Sequence, residues 1–424
     1  MLNTFKQFLA TESLADDMYV TGQAGTGKTT GLRELVQYCA DNGLEYVVCA
    51  FTHKACNILR DKLPMGSNVR TLHSYLKKRP TINQEAVNHK SIERSVVTGI
   101  ATKVSILFVD EYSMVGDRDL VDVRALEDLK IVWLGDPNQL PPTGDIQAIE
   151  PYGPYAITLT KVYRQAGDNP LLDTLQKVVT YIEGAKVEGI EEHETLTRDQ
   201  DIVEWYDNDR MSPDFDGILL AYTNARVESL NAEVMGRTEP EPGDTVYSPT
   251  TREHYTFERW LDPAEVSYIM PSFGDLLPLG TKYKTLEFLL QQGYKFAQLN
   301  DDIVVACVFG HYQHKRLKEE LKKEAAASNV AIGSGAAQWA RENKGSKKAT
   351  TRAKAWRSFL SFNDAVICLD FAHAVTVHKS QGSTYRTVYL DTQDLAIAAS
   401  INYTMYLKLM YVALSRASHN VITN

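Results

Sequence analysis

The stretch Gly22-Gln-Ala-Gly-Thr-Gly27-Lys28-Thr29 decides how the chain folds, and it matches the pattern GxxxxGK[ST] in full. An apolar, β-rich run (MYVT, residues 18–21) stands before it. After it Leu32, Leu35, Val36 and Cys39 recur at helical spacing until Gly43 supplies a C′ stop. Strand, glycine loop, helix is the context that a phosphate-binding loop requires. The glycines let backbone N–H groups turn toward phosphate oxygens at the positive end of the helix dipole. Lys28 then reaches the β- and γ-phosphates of ATP and Thr29 ligates Mg²⁺. Gly22, Gln23, Ala24, Gly25, Thr26, Gly27 and Thr30 complete the expected nucleotide cradle. A glycine-rich turn without a ligand is poorly supported in that context.

Outward from the loop, residues 46–51, 105–109 and 131–134 are short apolar runs of the same kind, each ending in polar or glycine residues. Continuous apolar strands separated by helices imply a parallel sheet covered on both faces, the α/β core of a nucleotide-binding protein. A P-loop also needs a carboxylate at the end of a neighbouring strand. Ile106-Leu-Phe-Val-Asp110-Glu111 supplies two, Asp110 for Mg²⁺ and Glu111 to polarise the attacking water. The pair could instead be a helix N-cap and a first-turn charge.

Residues 75–99 break the rhythm and read as an inserted hairpin; no Phe, Tyr or Trp lies between Tyr75 and Phe108. A second α/β pattern starts at GILLAY (217–222) and resumes at AVICLD (365–370), so residues 240–363 read as an insertion. Its first part is strand-like. Its second holds a charged helix from His311 to Ala327, a Gly/Ser joint at 333–335 and a further helical stretch with Trp339 and Trp356.

Composition bounds the rest. With 424 residues, 44% hydrophobic and 23% charged, the chain has the make-up of a soluble protein of two to four domains. No run of 18 apolar residues and no basic-then-apolar leader occurs, so neither a membrane partner nor secretion is expected. The five cysteines form no CxxC pair, which fits a reducing, cytoplasmic compartment without disulfides or zinc. A net charge of −9 speaks against a nucleic-acid partner, yet residues 315–357 hold 12 Lys/Arg against 4 Glu, a local +8 on a chain otherwise at −17. That arm is either a solvated helical face or an electrostatic hold on DNA or RNA.

Further motifs select among P-loop proteins. With Asp110-Glu-Tyr-Ser-Met114 and Gly135-Asp-Pro-Asn-Gln139-Leu-Pro-Pro142 the chain resembles the superfamily 1 helicases, most of all superfamily 1B, the RecD-like and phage Dda-like enzymes. The resemblance continues in order through Ala50-Phe-Thr-His-Lys54, Thr71-Leu-His-Ser74, Leu159-Thr-Lys-Val-Tyr-Arg164, Ala221-Tyr-Thr-Asn224, Ala374-Val-Thr-Val-His-Lys-Ser-Gln-Gly382 and Tyr411-Val-Ala-Leu-Ser-Arg416. It spans residues 20–417, and eight motifs in order make it specific.

The resemblance implies two RecA-like domains, 1–165 and 166–424, each a parallel sheet with flanking helices. The first carries a pin hairpin at 75–99 and the second an SH3-like and helical tower insertion at 240–363. It implies that Arg164 and Arg416 are arginine fingers, that Gln139 senses the γ-phosphate and that Gly382 borders the nucleotide. It places Thr52, His53, Lys54, Thr71, His73, Thr223, Asn224, Thr376 and His378 against a DNA single strand, a mode of hydroxyl and backbone contact plus stacking. The implied activity is ATP- and Mg²⁺-dependent unwinding of duplex DNA by a monomer moving 5′→3′, in phage replication or recombination alongside proteins of those pathways. A translocase that strips proteins without separating strands, and a binding module with a decayed ATPase, are the alternatives. The tower's basic arm either touches the pin or binds DNA, so neutralising Lys347, Lys348, Arg352 and Lys354 is expected to weaken unwinding more than ATP hydrolysis.

Overall fold

The structure, a computed structural model, describes residues 1–11, 17–142, 145–161, 170–184, 196–248, 253–262, 264–265, 294–300, 303–309 and 311–424. It divides into two compact units, one of residues 1–79, 96–222 and 376–424, the other of residues 80–95 and 223–375.

The first unit is built on two parallel sheets. In the six-stranded sheet the order is Val69–Thr71, Tyr46–Ala50, Ile106–Val109, Lys130–Gly135, Met18–Gly22, Ala156–Leu159, and the neighbours pair in parallel. Its central strands are apolar throughout because both faces are covered. Val20, Phe108 and Val132 point into one core with Leu32, Leu35 and Val36 of helix Lys28–Asp41. The alternate residues Tyr19, Leu107, Val109 and Trp133 enter the opposite core with Tyr112 and Val115. Four strands of the second sheet run Gly217–Ala221, Tyr385–Leu390, Ala417–Thr423, Leu196–Thr197, again in parallel. The fold class is therefore mixed α/β with parallel sheets, as the alternation of apolar runs and helices requires.

The second unit contains a closed five-stranded barrel of Thr245–Ser248, Glu253–Leu261, Lys295–Leu299, Ile303–Phe309 and Val366–Phe371. Here the sequence expectation needs correcting. The run at 365–370 does not resume the second α/β sheet but closes the barrel, antiparallel to Thr245–Ser248 and parallel to Ile303–Phe309. A strand buried on both sides reads alike in either setting, and only its partner distinguishes them. Helices His311–Val330, Ala336–Glu342 and Lys347–Ala365 follow the barrel's fourth strand.

The hairpin is narrower than 75–99. Its strands are Lys78–Ile82 and Glu93–Val97, because Thr71 caps the helix Leu72–Tyr75 and Tyr75 is buried in the first unit's core. Residues 80–95 of the hairpin belong to the second unit. There Ala86 and Ile92 share a core with Leu321, Ala325, Trp356 and Phe359. Asn329, fully buried, ties this contact together. Its amide donates to the carbonyls of Gln84 and Ala86 at 2.8 Å each. Its oxygen accepts from Arg352 at 2.9 Å and from the Trp356 indole at 3.2 Å. Arg352 donates to the Gln84 carbonyl as well, at 2.8 Å.

Candidate functional site

All the groups of the cleft lie in the first unit, at the carboxyl ends of the first sheet's strands, where α/β sheets place their ligands. The loop after Met18–Gly22 turns through Gly25 and Gly27, both at left-handed φ (82° and 85°), a region that side-chain-bearing residues rarely adopt. Gly22 is fixed by space instead. A Cβ there would lie 2.5 Å from the Thr26 hydroxyl oxygen and 2.8 Å from the Leu159 carbonyl. Gly27 is the N-cap of helix Lys28–Asp41, and no side chain caps that terminus. The Lys28 ammonium folds back onto its own loop, donating to the Gly22 carbonyl at 2.5 Å and the Gln23 carbonyl at 2.8 Å.

The cleft is lined by Ala24, Gly25, Gly27, Lys28, Thr29 and Thr30 together with Asp110, Glu111, Gln139, Gly382 and Arg416. Residues from both ends of the chain thus meet at one nucleotide-sized site. Burial pushes the Asp110 carboxyl up, opposed by Lys28, the Glu111 N–H and Lys62. Glu111 sits at φ 60°, an uncommon conformation for a residue with a side chain. A Cβ on Gly382, at the far wall, would stand 3.3 Å from the Glu111 carboxylate. Such a backbone outlier at an acid in a cleft is where strain serves function. Thr29 and Asp110 offer the hydroxyl and carboxylate oxygens that a hard cation prefers, so the donor set fits Mg²⁺.

Gln139 is buried and its amide oxygen finds no hydrogen-bond partner among the described residues. An acceptor so placed at the cleft wall is one that a bound ligand or water could satisfy. Arg416 is 2% exposed, held by the Val412 carbonyl (3.1 Å), the Ser383 carbonyl (3.2 Å) and the Ser415 hydroxyl (2.8 Å). Burial lowers its pKa, countered first by Glu111. Arg164 lies outside the described residues, as do the side chains of His53 and Lys54.

Two residues that contact the cleft's lining from behind carry no role in the sequence reading although both stand inside quoted motifs. Asp136, buried immediately after Lys130–Gly135, accepts from the Tyr411 hydroxyl at 2.5 Å. Tyr411 in turn accepts from the P-loop N–H of Ala24 at 3.2 Å. Burial raises the Asp136 pKa despite Lys28 and the Tyr411 donor. A carboxylate directly after an apolar strand is the signal that could have found it.

The four threonines expected against DNA share one local geometry. Thr52, Thr71, Thr223 and Thr376 each accept from the backbone N–H three residues on, that of Ala55, Ser74, Arg226 and Lys379 respectively. Each is therefore an N-cap whose hydroxyl oxygen satisfies a backbone N–H of the helix it starts. His73 packs on Phe51 and hydrogen-bonds Asp119 at 3.2 Å. Asp119 also pairs with Lys78 at the hairpin's root, at 2.7 Å. His378, its pKa lowered by burial, lies 6.2 Å from the Tyr222 ring. Thr223 and Asn224 belong to the second unit and the other strand-facing candidates to the first.

A family model described as an AAA domain matches residues 3–201, and one described as a UvrD-like helicase C-terminal domain matches residues 371–422. The ATP-dependent RecD2 DNA helicase of Deinococcus radiodurans is 32% identical over 36% of this chain, a match that takes in only 20% of the relative's length. The ATP-dependent DNA helicase dda of Enterobacteria phage T4 is 26% identical over 95% of this chain and 93% of its own. Among solved structures, the Pif1 helicase from Bacteroides in complex with ADP-AlF3 and ssDNA aligns over 100% of this chain and 92% of that one, at 16% identity and a TM-score of 0.47. No helix among the described residues is long and apolar enough to cross a membrane. The P-loop, the paired acids after strand Ile106–Val109 and the UvrD-like C-terminal match converge on one likeness: the chain is similar to the DNA helicases of superfamily 1B.

Proposed function

We propose that the chain hydrolyses ATP to move along single-stranded DNA and separate the duplex ahead of it. One observation carries the reading. The cleft gathers Lys28, Asp110, Glu111, Gln139 and Arg416 from both ends of the chain against one phosphate-sized space. Lys28 and the P-loop N–H groups hold the β- and γ-phosphates. Glu111 takes a proton from the attacking water, and Gln139 orients that water, whose O–H donates to the unpartnered amide oxygen, or senses the γ-phosphoryl oxygen by donating from its amide NH₂. Arg416 neutralises charge that develops on the transferring phosphoryl group, as does Arg164 in this reading. Thr29 and Asp110 would hold Mg²⁺, which supplies further charge neutralisation when bound.

In this reading the first unit offers the strand Thr52, His53, Lys54, Thr71, His73, Thr376 and His378, and the second unit offers Thr223 and Asn224. Uncharged phosphate contacts of this kind let an acidic chain hold DNA. Movement is 5′→3′, the enzyme works as a monomer, and forked DNA in phage replication or recombination is its substrate. The likeness to the ATP-dependent DNA helicase dda of phage T4 along nearly its whole length supports ATP-driven action on DNA.

ATP hydrolysis with and without an unstructured oligonucleotide tests the site. Wild type is expected to be stimulated at least tenfold, and Lys28→Ala to lose more than a hundredfold in rate while keeping its affinity for the strand. Hydrolysis retained in Lys28→Ala would refute the assignment.

A further inference from the structure

Helix Lys347–Ala365 has two unlike faces. Ala349, Arg352, Trp356 and Phe359 are buried on one of them. Arg352, grouped with the other basic residues by sequence, therefore spends its guanidinium on Asn329 and the Gln84 carbonyl and is not a cation presented to solvent. Lys347, Lys348, Lys354 and Arg357 are exposed, and so are Thr350 and Thr351. At 100° per residue Lys347, Thr350, Thr351, Lys354 and Arg357 fall on one side of the helix. Lys344 and Arg341 extend the exposed cations upstream.

These charges are uncompensated. In helix His311–Val330 two of the cations have intrahelical partners, Arg316 with Glu320 and Lys322 with Glu319. Residues 344–357 contain no acid at all. No described carboxylate lies within ion-pair distance of Lys344, Lys347, Lys348, Lys354 or Arg357. On a chain at −9 overall, a concentrated unpaired positive face costs self-repulsion, and a polyanion relieves it. The same helix holds the hairpin tip by its opposite face, so the cations are anchored to the element read as the strand-separating pin.

We propose that the outward face of helix Lys347–Ala365 is a docking surface for the phosphate backbone of duplex DNA. It rests on the helicase reading and adds to it a contact with the undivided duplex, distinct from the grip on the single strand. Lysine and arginine meet phosphates there while Thr350 and Thr351 donate hydroxyls, an arrangement blind to sequence.

The test uses the full chain with Lys347→Gln, Lys348→Gln, Lys354→Gln and Arg357→Gln combined, all at exposed positions. Binding is titrated against a blunt 20-base-pair duplex and against a 20-nucleotide oligo-dT at several salt concentrations. Duplex affinity is expected to fall about tenfold or more, and the slope of log affinity on log salt by about 3–4, since each lost phosphate contact removes about 0.9. Oligo-dT affinity should stay within about twofold, and Lys→Arg exchanges at the three lysines should restore duplex binding. A variant with only Lys347→Gln and Lys354→Gln should show roughly half the change in slope. An unchanged duplex affinity and slope overturns the proposal, and so does an equal loss on both probes. Absence of oligo-dT-stimulated hydrolysis in wild type would instead sink the helicase reading, which these binding arms do not measure.

Discussion

The Tyr411 hydroxyl joins two parts of the cleft that the chain separates by hundreds of residues. It donates to Asp136 beyond one strand end and accepts from Ala24 in the P-loop, while its helix Tyr403–Leu414 leads directly to Arg416. A donor to a buried carboxylate is worth about 1.5–3 kcal/mol. Tyr411→Phe keeps the ring and removes that link. The expected result is a fall of roughly tenfold in kcat for DNA-stimulated hydrolysis with little change in KM for ATP, since 1.4 kcal/mol is a factor of ten in rate. An unchanged kcat would show that the hydroxyl only packs. Because Tyr411 and Asp136 share one bond, Asp136→Asn is expected to add little to Tyr411→Phe. At this scale the sequence reveals residues with a chemical signature. Lys28, Thr29, Asp110 and Glu111 are legible because a P-loop demands them at those places. Tyr411 was not, since nothing in its type or spacing tells a hydroxyl aimed at Asp136 from one more apolar position on a buried helix.

Among the elements, the hairpin and its clasp matter most. Asn329 makes four hydrogen bonds while fully buried, two to the hairpin tip and two to helix Lys347–Ala365. Asn329→Ala orphans these partners and should cost about 2–3 kcal/mol in denaturant unfolding. Unwinding is expected to fall well beyond hydrolysis, because the clasp holds the pin and not the nucleotide. Equal losses of both would assign Asn329 to general stability. The threonine caps make a second element-scale prediction. Thr71→Val or Thr376→Val should lose about 1 kcal/mol of stability together with strand affinity, while Thr→Ser at either site keeps both. Periodicity located four strands of the first sheet and helix Lys28–Asp41 within a residue or two, because each is bounded by glycine or polar turns, but not the short strands Val69–Thr71 and Ala156–Leu159. It misplaced the run at 365–370, whose apolar residues suit a barrel wall as well as a parallel sheet. The clasp was invisible, as a buried Asn in a charged helix carries no pattern.

For the whole molecule, an acidic body with one basic arm is consistent with a motor that grips its track by hydroxyls and meets the duplex by charge. The cleft lies in the first unit with the parallel sheets, and the barrel and hairpin tip lie in the second. Two α/β patterns in one chain, with a long interruption in the second, were readable from the order of apolar runs. How the interruption folds depends on pairing between strands far apart in sequence, which no local pattern encodes. The central claim is that this cleft drives strand separation in one direction. The most direct measurement is displacement of a labelled strand from duplexes bearing only a 5′ tail or only a 3′ tail, with ATP and with Lys28→Ala as control. The account predicts displacement from the 5′-tailed duplex by wild type alone; release of neither duplex, despite DNA-stimulated hydrolysis, would contradict it.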